Sequence, residues 1–547
     1  MHRLSLVAVC VLLAGTFTTP AVAYAALTGS SAGGLVDGLE YTPPPIAFGQ
    51  CTASNSGGDA DLLQQKGAQC GYVTVPLNYA NPSGQKIKLA ISLVLHTTTS
   101  AADYKGIMLV NPGGPGEPGL IYSVMPQIFG MPNNAGDGYD WIGWDPRGVG
   151  NSIPSLSCDA SFFGGARPPY RPTTQKIMNQ WVTRSKQYAQ ACTNADGAAL
   201  FNHVKTVDSV KDMESIRLAL GKSKISFYGF SYGTYLGSVY MTLHPNRVGR
   251  FVLDSTVDPR NVFFQDNRQQ DIAFQRTFDA YFTWLAQYHS VYKVGATHDA
   301  VRDQFLNIVT KLDEHPANGF LGGDELLDVF TSAGYYVYGW EDIASAYSKF
   351  VHTGNAHDLI QMYKDANPTT PGGDNTFAMY LATQCTDAGW PQSQARLNRN
   401  NWKLDQTYNY FTWANAWFNG PCPYWHYAHG QPVQVRGSNV DVPILMIDET
   451  FDAATPYEGS LYVRSIFPTA SLIEGKDGTT HAGSLSGVAC TDDAIADYLL
   501  TGQVPARKSG NRSDKICPPV PQPDPTAAST FRLLIQGNSQ RFALLGR

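Results

Sequence analysis

The hydrophobic positions of this chain first alternate and then run together. From Cys70 onward, Tyr72–Pro76 and Lys86–Leu95 carry alternating β-type residues on either side of Asn81-Pro82-Ser83-Gly84, which predicts an antiparallel hairpin. Ile107–Val110 is a continuous apolar run, the pattern of a strand buried on both faces of a sheet, and Tyr139–Trp144, the β-rich Ile225–Tyr228 and the short buried Phe251–Asp254 read as further strands. Residues 173–221 read as helical, with Val204–Leu220 leading into the strand at Ile225. Strand signals then vanish for about 180 residues, while Phe274–Tyr288, Asp299–Leu312 and Glu341–Val351 show helical periodicity. They return at Val442–Ile447 and Ser471–Glu474, followed by a helical stretch, Asp492–Leu500, and a proline-rich segment, Pro518–Pro525. Strands interleaved with helices predict an α/β protein with a mostly parallel central sheet and a large inserted helical cap.

The division that follows is a core in two parts, 40–259 and 441–517, a cap at 260–440 and a tail at 518–547. Seven of the ten tryptophans fall in the cap, where they are expected to pack its core and in part to line a site. Residues 26–45 are small and rich in Gly and Pro, a loose lead-in. Before them, Arg3, the apolar run Leu4–Leu13 and a small-residue site at Ala21-Val22-Ala23 or Ala23-Tyr24-Ala25 predict a signal peptide over 1–25. The apolar run is too short to span a bilayer, so the mature protein is expected to be secreted, free of membrane and monomeric.

A hydrophobic share of 43% with 15% charged residues indicates a globular protein, and a net charge of -6 without a long basic run excludes nucleic acid as partner. Of nine cysteines, Cys10 lies in the signal, leaving eight. An even number in an exported chain predicts disulfides between sequence neighbours: Cys51–Cys70, Cys158–Cys192, Cys385–Cys422 and Cys490–Cys517. No Cys-x-x-Cys or His-x-x-x-His spacing accompanies them, which disfavours a metal site.

The chemistry centres on Gly229-Phe230-Ser231-Tyr232-Gly233, directly after an apolar strand and directly before a helical segment. That context is a nucleophile elbow, whose strained turn holds a serine hydroxyl out at the strand's end. A second match to the pattern, Gly29-Ser30-Ser31-Ala32-Gly33, has neither strand nor helix beside it and reads as linker. A serine needs a base, and the base needs a group to orient it, in the chain order nucleophile, acid, histidine. His481, in the Gly/Thr loop after the last predicted strand, is the candidate base; Asp448 and Asp452 compete as the acid. The backbone N–H of Tyr232 and one from the Gly113-Gly114 loop are the candidate oxyanion hole. Asp145 and Arg147, in Asp145-Pro146-Arg147-Gly148-Val149-Gly150, are expected to brace neighbouring loops. This chemistry requires no cofactor.

The motifs Asn111-Pro112-Gly113-Gly114-Pro115-Gly116, Asp145 to Gly150, Gly229 to Thr234, and the closing pattern Cys490, Tyr498-Leu499-Leu500, Gly502, Pro505 and Cys517 carry a resemblance. Together they resemble the secreted tripeptidyl aminopeptidase-like serine hydrolases, relatives of proline iminopeptidase with the α/β-hydrolase fold. The family's acid turn maps onto Glu449-Thr450-Phe451-Asp452-Ala453-Ala454-Thr455-Pro456, which selects Asp452. Two departures touch the triad loops: Glu449 stands where a glycine is usual, and Thr480 precedes His481 where a glycine is common. The resemblance implies release of short peptides from a free N-terminus, hence carboxylates that meet an ammonium group. Glu117, Glu341, Asp342 and Asp387 are the candidates, Asp387 because Gln384-Cys385-Thr386-Asp387 resembles a cap motif. The alternative is a carboxylesterase or amidase acting on a small acyl substrate, and the rival of another class is a hydrolase-fold binding protein without catalysis.

Overall fold

The computed structural model describes residues 41–527. The predicted signal peptide, most of the lead-in and tail residues 528–547 lie outside these. Ten strands form one sheet: β1 (Gly49–Gln50), β2 (Gln69–Pro76), β3 (Lys86–Val94), β4 (Gly106–Asn111), β5 (Tyr139–Trp144), β6 (Ile225–Phe230), β7 (Val248–Asp254), β8 (Ile444–Glu449), β9 (Ala470–Gly475) and β10 (Lys515–Cys517). Their spatial order is β1-β2-β3-β5-β4-β6-β7-β8-β9-β10. Pairings from β1 through β3 to β5 are antiparallel, and every pairing from β5 to β10 is parallel. The opening hairpin and the six longer buried strands fall where the hydrophobic pattern puts them. The short edge strands β1 and β10 leave no such pattern, because two or three residues carry no period.

The continuous apolar runs are explained by what covers the sheet. Along β4, Ile107 and Leu109 join one hydrophobic cluster, whereas Met108 and Val110 join the other. In β6, Phe227 faces the first cluster and Tyr228 the second. Successive side chains point to opposite faces, so a strand covered on both sides has no polar position to alternate with.

The chain from β7 to β8 contains no strand and is built of helices, the longest being Phe264–Gln287, about 36 Å at 1.5 Å per residue. These helices do not enclose a private core. Phe274, Trp284, Trp340, Trp413 and Trp417 belong to the same cluster as Leu109, Phe227 and Leu253 of the sheet. Polar ties reinforce the junction: Arg167 is paired with Glu325 at 2.8 Å, and Asp374 accepts from the Cys158 and Asp159 N–H groups, both at 2.8 Å. All four neighbour disulfides are formed.

β4 lies between β5 and β6, so the chain leaves β4 toward one side of the sheet and leaves β6 toward the other. Loops that diverge in this way open a crevice at the strands' carboxyl ends. The loop after Asn111 and the turn at Ser231 both stand at that end, where they pack against each other. Close by, Asp145 and Arg147 act as braces. Asp145 accepts from the Gly119, Leu120 and Asn151 N–H groups, and Arg147 binds both oxygens of Asp212 at 2.7 and 2.6 Å. Arg147 is 1% and Asp212 0% exposed at the side chain, so neither charge has water to fall back on. Arg147→Met therefore lowers the unfolding free energy by about 3–5 kcal/mol in urea titration, and adding Asp212→Leu restores part of it.

Candidate active site

The run from Ile225 to Met241 is buried at every position but Ser231. Ser231 ends β6 with φ 55° and ψ −124°, and the helix Tyr232–Leu243 starts at the next residue. A non-glycine residue held there is strained, and what holds it is close backbone packing. A Cβ at 229 would lie 2.7 Å from the Gly233 carbonyl oxygen, and one at 233 would lie 2.7 Å from that of Asn111. Only glycine fits at both, which is the physical content of the pentapeptide.

The loop after β4 reaches the same point. Gly113 has φ 109°, and a Cβ on it would lie 2.7 Å from the Phe230 carbonyl oxygen and 2.8 Å from the Ser231 Cβ. Its N–H is already committed to Asn111 Oδ1 at 3.1 Å. Of the two loop amides singled out in the sequence, that of Gly114 is the one left for a ligand, together with the Tyr232 N–H at the first turn of the helix.

His481 is buried, and its Nδ1 lies 2.7 Å from Asp452 Oδ2 and 3.3 Å from Thr455 Oγ1. The Asp452 carboxylate is fixed in turn by the Ala454 and Thr455 N–H groups (2.8 and 3.0 Å) and by the Thr455 hydroxyl (2.9 Å). With Nδ1–H donated to a carboxylate, Nε2 keeps its lone pair. The rival acid, Asp448, does not touch the imidazole. It accepts from the Ser460 hydroxyl at 2.5 Å, and burial, with the Asp452 charge nearby, pushes its carboxyl well above the usual range. Ser231 and His481 are brought to the same end of the sheet by shared anchors. The Ser231 N–H donates to the Asp254 carbonyl (3.0 Å), the Ser484 N–H to Asp254 Oδ2 (2.9 Å) and the Ala482 N–H to Ser255 Oγ (2.8 Å). In this structure the imidazole's side-chain hydrogen bonds run to Asp452 and Thr455, and none runs to Ser231.

Three features escaped the sequence. The His481 N–H donates to the Tyr335 carbonyl at 2.8 Å, and the rings of Tyr335 and Tyr336 stand 5.8 and 6.1 Å from the imidazole. Two adjacent tyrosines at the end of a helix were the signal, but nothing local marks which way they face. Buried Asp254 was legible only as the last residue of a strand. The third is a small concavity among the helices, lined by Phe264, Asn267, Asp271, Trp390, Asn415 and Asn419. It is one tyrosine away from the β4 loop. The Tyr380 hydroxyl donates to Asn267 and Asn419 (3.2 and 3.1 Å), while a Cβ at Gly116 would lie 2.8 Å from the Tyr380 nitrogen. Asp271 on its wall accepts from Asn415 at 2.9 Å, and burial pushes its carboxyl up to about 8.

The four candidate ammonium partners separate. Glu117 follows the Gly113–Gly116 loop, half-buried, and its charge bears on Tyr335 and Tyr336, the residues that flank His481; burial pushes its carboxyl up to about 8. Asp387 is instead a helix cap: it accepts from the Thr206 N–H (2.7 Å) and hydroxyl (2.5 Å) at the start of helix Thr206–Ala219. Glu341 and Asp342 lie in the first turn of helix Trp340–Thr353, Glu341 half-buried and bearing on Tyr288 together with Asp524, Asp342 exposed. Sequence gave these carboxylates one reading because it carries no distances to the serine.

Comparison with known proteins decides the family. A family model described as alpha/beta hydrolase fold matches residues 106–329, and one described as TAP-like protein matches residues 408–516. The tripeptidyl aminopeptidase of Streptomyces lividans is 36% identical over 474 residues, 85% of this chain and 86% of that protein. The chain belongs to the tripeptidyl aminopeptidase family. It is a serine peptidase of the α/β-hydrolase fold. More distant members of the same set include the serine protease Hip1 of Mycobacterium tuberculosis, 27% identical over 80% of this chain and 86% of that protein. Carboxylesterase B of the same organism is 26% identical over 82% and 86%.

Gly113 is a closely packed point of this family member's site, with a positive φ as well. Gly113→Ala is expected to destabilise by about 1–3 kcal/mol in thermal unfolding, through a disfavoured φ and two contacts closer than atoms allow, and to lower turnover in the folded fraction.

Proposed function

We propose that this peptidase releases tripeptides from free N-termini through a Ser231–His481–Asp452 triad and an acyl-enzyme. The catalytic part is carried by the 2.7 Å contact between His481 and Asp452 beside the strained, partly open Ser231. The peptide part rests on kinship with the Streptomyces lividans enzyme.

In the first half-reaction Ser231 Oγ bonds to the carbonyl carbon of the scissile amide while His481 Nε2 takes the hydroxyl proton. Asp452 holds the imidazole in the Nδ1–H tautomer and stabilises the imidazolium. The Tyr232 and Gly114 N–H groups receive the oxyanion. When the tetrahedral intermediate collapses, the C–N bond breaks and His481 gives its proton to the leaving amine. Water, deprotonated by the same imidazole, then cleaves the acyl-enzyme and returns the proton to Ser231. No step needs a metal or cofactor.

An exopeptidase must recognise an ammonium group, and Glu117, directly after the Gly113–Gly116 loop and bearing on Tyr335 and Tyr336, is the carboxylate we assign to it. Export is supported by four disulfides, which form and persist in oxidising compartments. No helix among the described residues is long and apolar enough to cross a membrane. The second reading, an esterase or amidase on small acyl substrates, is favoured only by the kinship with carboxylesterase B.

Free and N-acetylated tripeptide anilides separate the two readings. The free substrate should be turned over with at least about a tenfold higher kcat/KM, the scale of one charge-assisted hydrogen bond, and equal turnover would remove the exopeptidase assignment. Asp452→Asn should lower kcat by about 10⁴. Glu117→Gln should raise KM for the free substrate about tenfold with little change in kcat. Glu117 loses its proton near pH 8, so wild-type KM falls as pH rises toward 8, and the variant lacks that slope.

A further inference from the structure

Glu449 closes β8, three residues before Asp452, and is 4% exposed. Its Oε2 accepts the Thr480 N–H at 2.7 Å and its Oε1 accepts the Val520 N–H at 2.6 Å. The two donors belong to different segments. Thr480 immediately precedes His481, and Val520 lies three residues past the Cys490–Cys517 bridge. The carboxyl sits in a seat that glycines leave open. A Cβ at 475 would lie 2.9 Å from its Cγ, one at 478 would lie 2.3 Å from its Cδ, and one at 483 would lie 3.5 Å from its Cγ. A side chain accommodated so closely, with both oxygens aimed at backbone donors, is a built contact rather than a solvated carboxylate.

From Val520 the chain goes on to the helical layer. The Trp284 indole N–H donates to the Pro523 carbonyl at 2.8 Å, and the Asp524 carboxylate bears on Tyr288. Residues 518–525 thus form a strap from the end of β10 to helix Phe264–Gln287, with Glu449 as its tie to the sheet. The histidine loop is gripped on its other side by the same layer: the Val337 N–H donates to the Thr480 hydroxyl at 3.0 Å and the His481 N–H to the Tyr335 carbonyl at 2.8 Å.

We propose that Glu449 is a positioning residue through which the 518–525 strap sets the His481 loop, so that the peptidase reaches full turnover only with the strap seated. The proposal rests on Ser231 and His481 reacting together. Thr480 cannot shift without moving the imidazole one residue on, and a misplacement of about 1 Å at a catalytic group costs about 100-fold. Protonation of Glu449 would remove one of its two acceptor oxygens. Asp452 in the acid turn and Asp254 at the end of β7 face it, with Asp448 beside it on its own strand; burial, which dominates, and the charges of Asp452 and Asp254 push Glu449 up to about 8 against the pull of the Val520 and Thr480 N–H groups. Both ties are therefore made in full only on the alkaline side, and the effect falls on kcat, whereas Glu117 acts on KM.

The test compares wild type, Glu449→Gln, a chain ending at Cys517 and the combination, using a free tripeptide anilide and a fluorophosphonate probe of Ser231. Each single change should lower kcat and the labelling rate about 10- to 100-fold, with KM within about twofold. The combination should be no worse than the poorer single variant, since both cut one connection. The rise of wild-type kcat through about pH 8 should vanish in Glu449→Gln. A folded Glu449→Gln protein with wild-type kcat, or losses that multiply in the combination, would overturn the proposal. Val520→Pro, which deletes the N–H donor and keeps the chain, replaces the shortened protein if that fails to fold. An unlabelled wild type would instead remove the Ser231 reading beneath it.

Discussion

Three stretches of backbone meet at Ser231 more closely than side chains permit, and the site depends on that crowding. The end of β6, the first turn of the following helix and the loop after β4 approach until Gly229 faces Gly233, Gly233 faces Asn111 and Gly113 faces Phe230. Close approach leaves the serine a conformation with positive φ and directs it out of an otherwise buried run. It also packs Gly113 against the Ser231 Cβ and the Tyr232 nitrogen, so the turn and the loop after β4 are products of one packing event. The strain at Ser231 is sustained because neighbours on every side over-determine the turn.

Around the imidazole the constraint is electrostatic. Four carboxyls, of Asp254, Asp448, Glu449 and Asp452, are buried at the ends of β7 and β8. Burial raises the first three, so their neighbourhood resists further negative charge. Asp452 differs in its partners. It accepts two backbone N–H groups, a threonine hydroxyl and the imidazole. Asp448, with Ser460 as its hydrogen-bond partner, is suited to remain protonated. Which of the two carboxyls meets the imidazole is thus set by the turn after β8 rather than by position along the strand.

The helices between β7 and β8 complete the site because they share the sheet's hydrophobic cluster. Tyr335 holds the His481 backbone, Tyr380 lies against the loop that carries Gly114, and the strap from β10 returns to Trp284. That layer is thus tied to the histidine loop, to the Gly113–Gly116 loop and to the C-terminal segment. Its polar concavity near Asp271 opens one residue behind the oxyanion loop.

The sequence by itself determined the periodic elements, the strand, turn and helix that set Ser231 between its glycines, and the four cysteine pairs. Each of these is written locally: an apolar run, a pentapeptide between strand and helix, neighbouring cysteines. It left Asp448 and Asp452 level until the family turn separated them, and it could not sort four carboxylates, because a carboxylate's task is set by distances across the fold. Tertiary structure alone decided that Asp387 caps a helix, that Glu341 lies in the helical layer, that Gly113 spends its N–H on Asn111 and that Glu449 joins the strap to the histidine loop. Those contacts link residues far apart along the chain, and packing fixes such pairs without leaving a period or a motif to read.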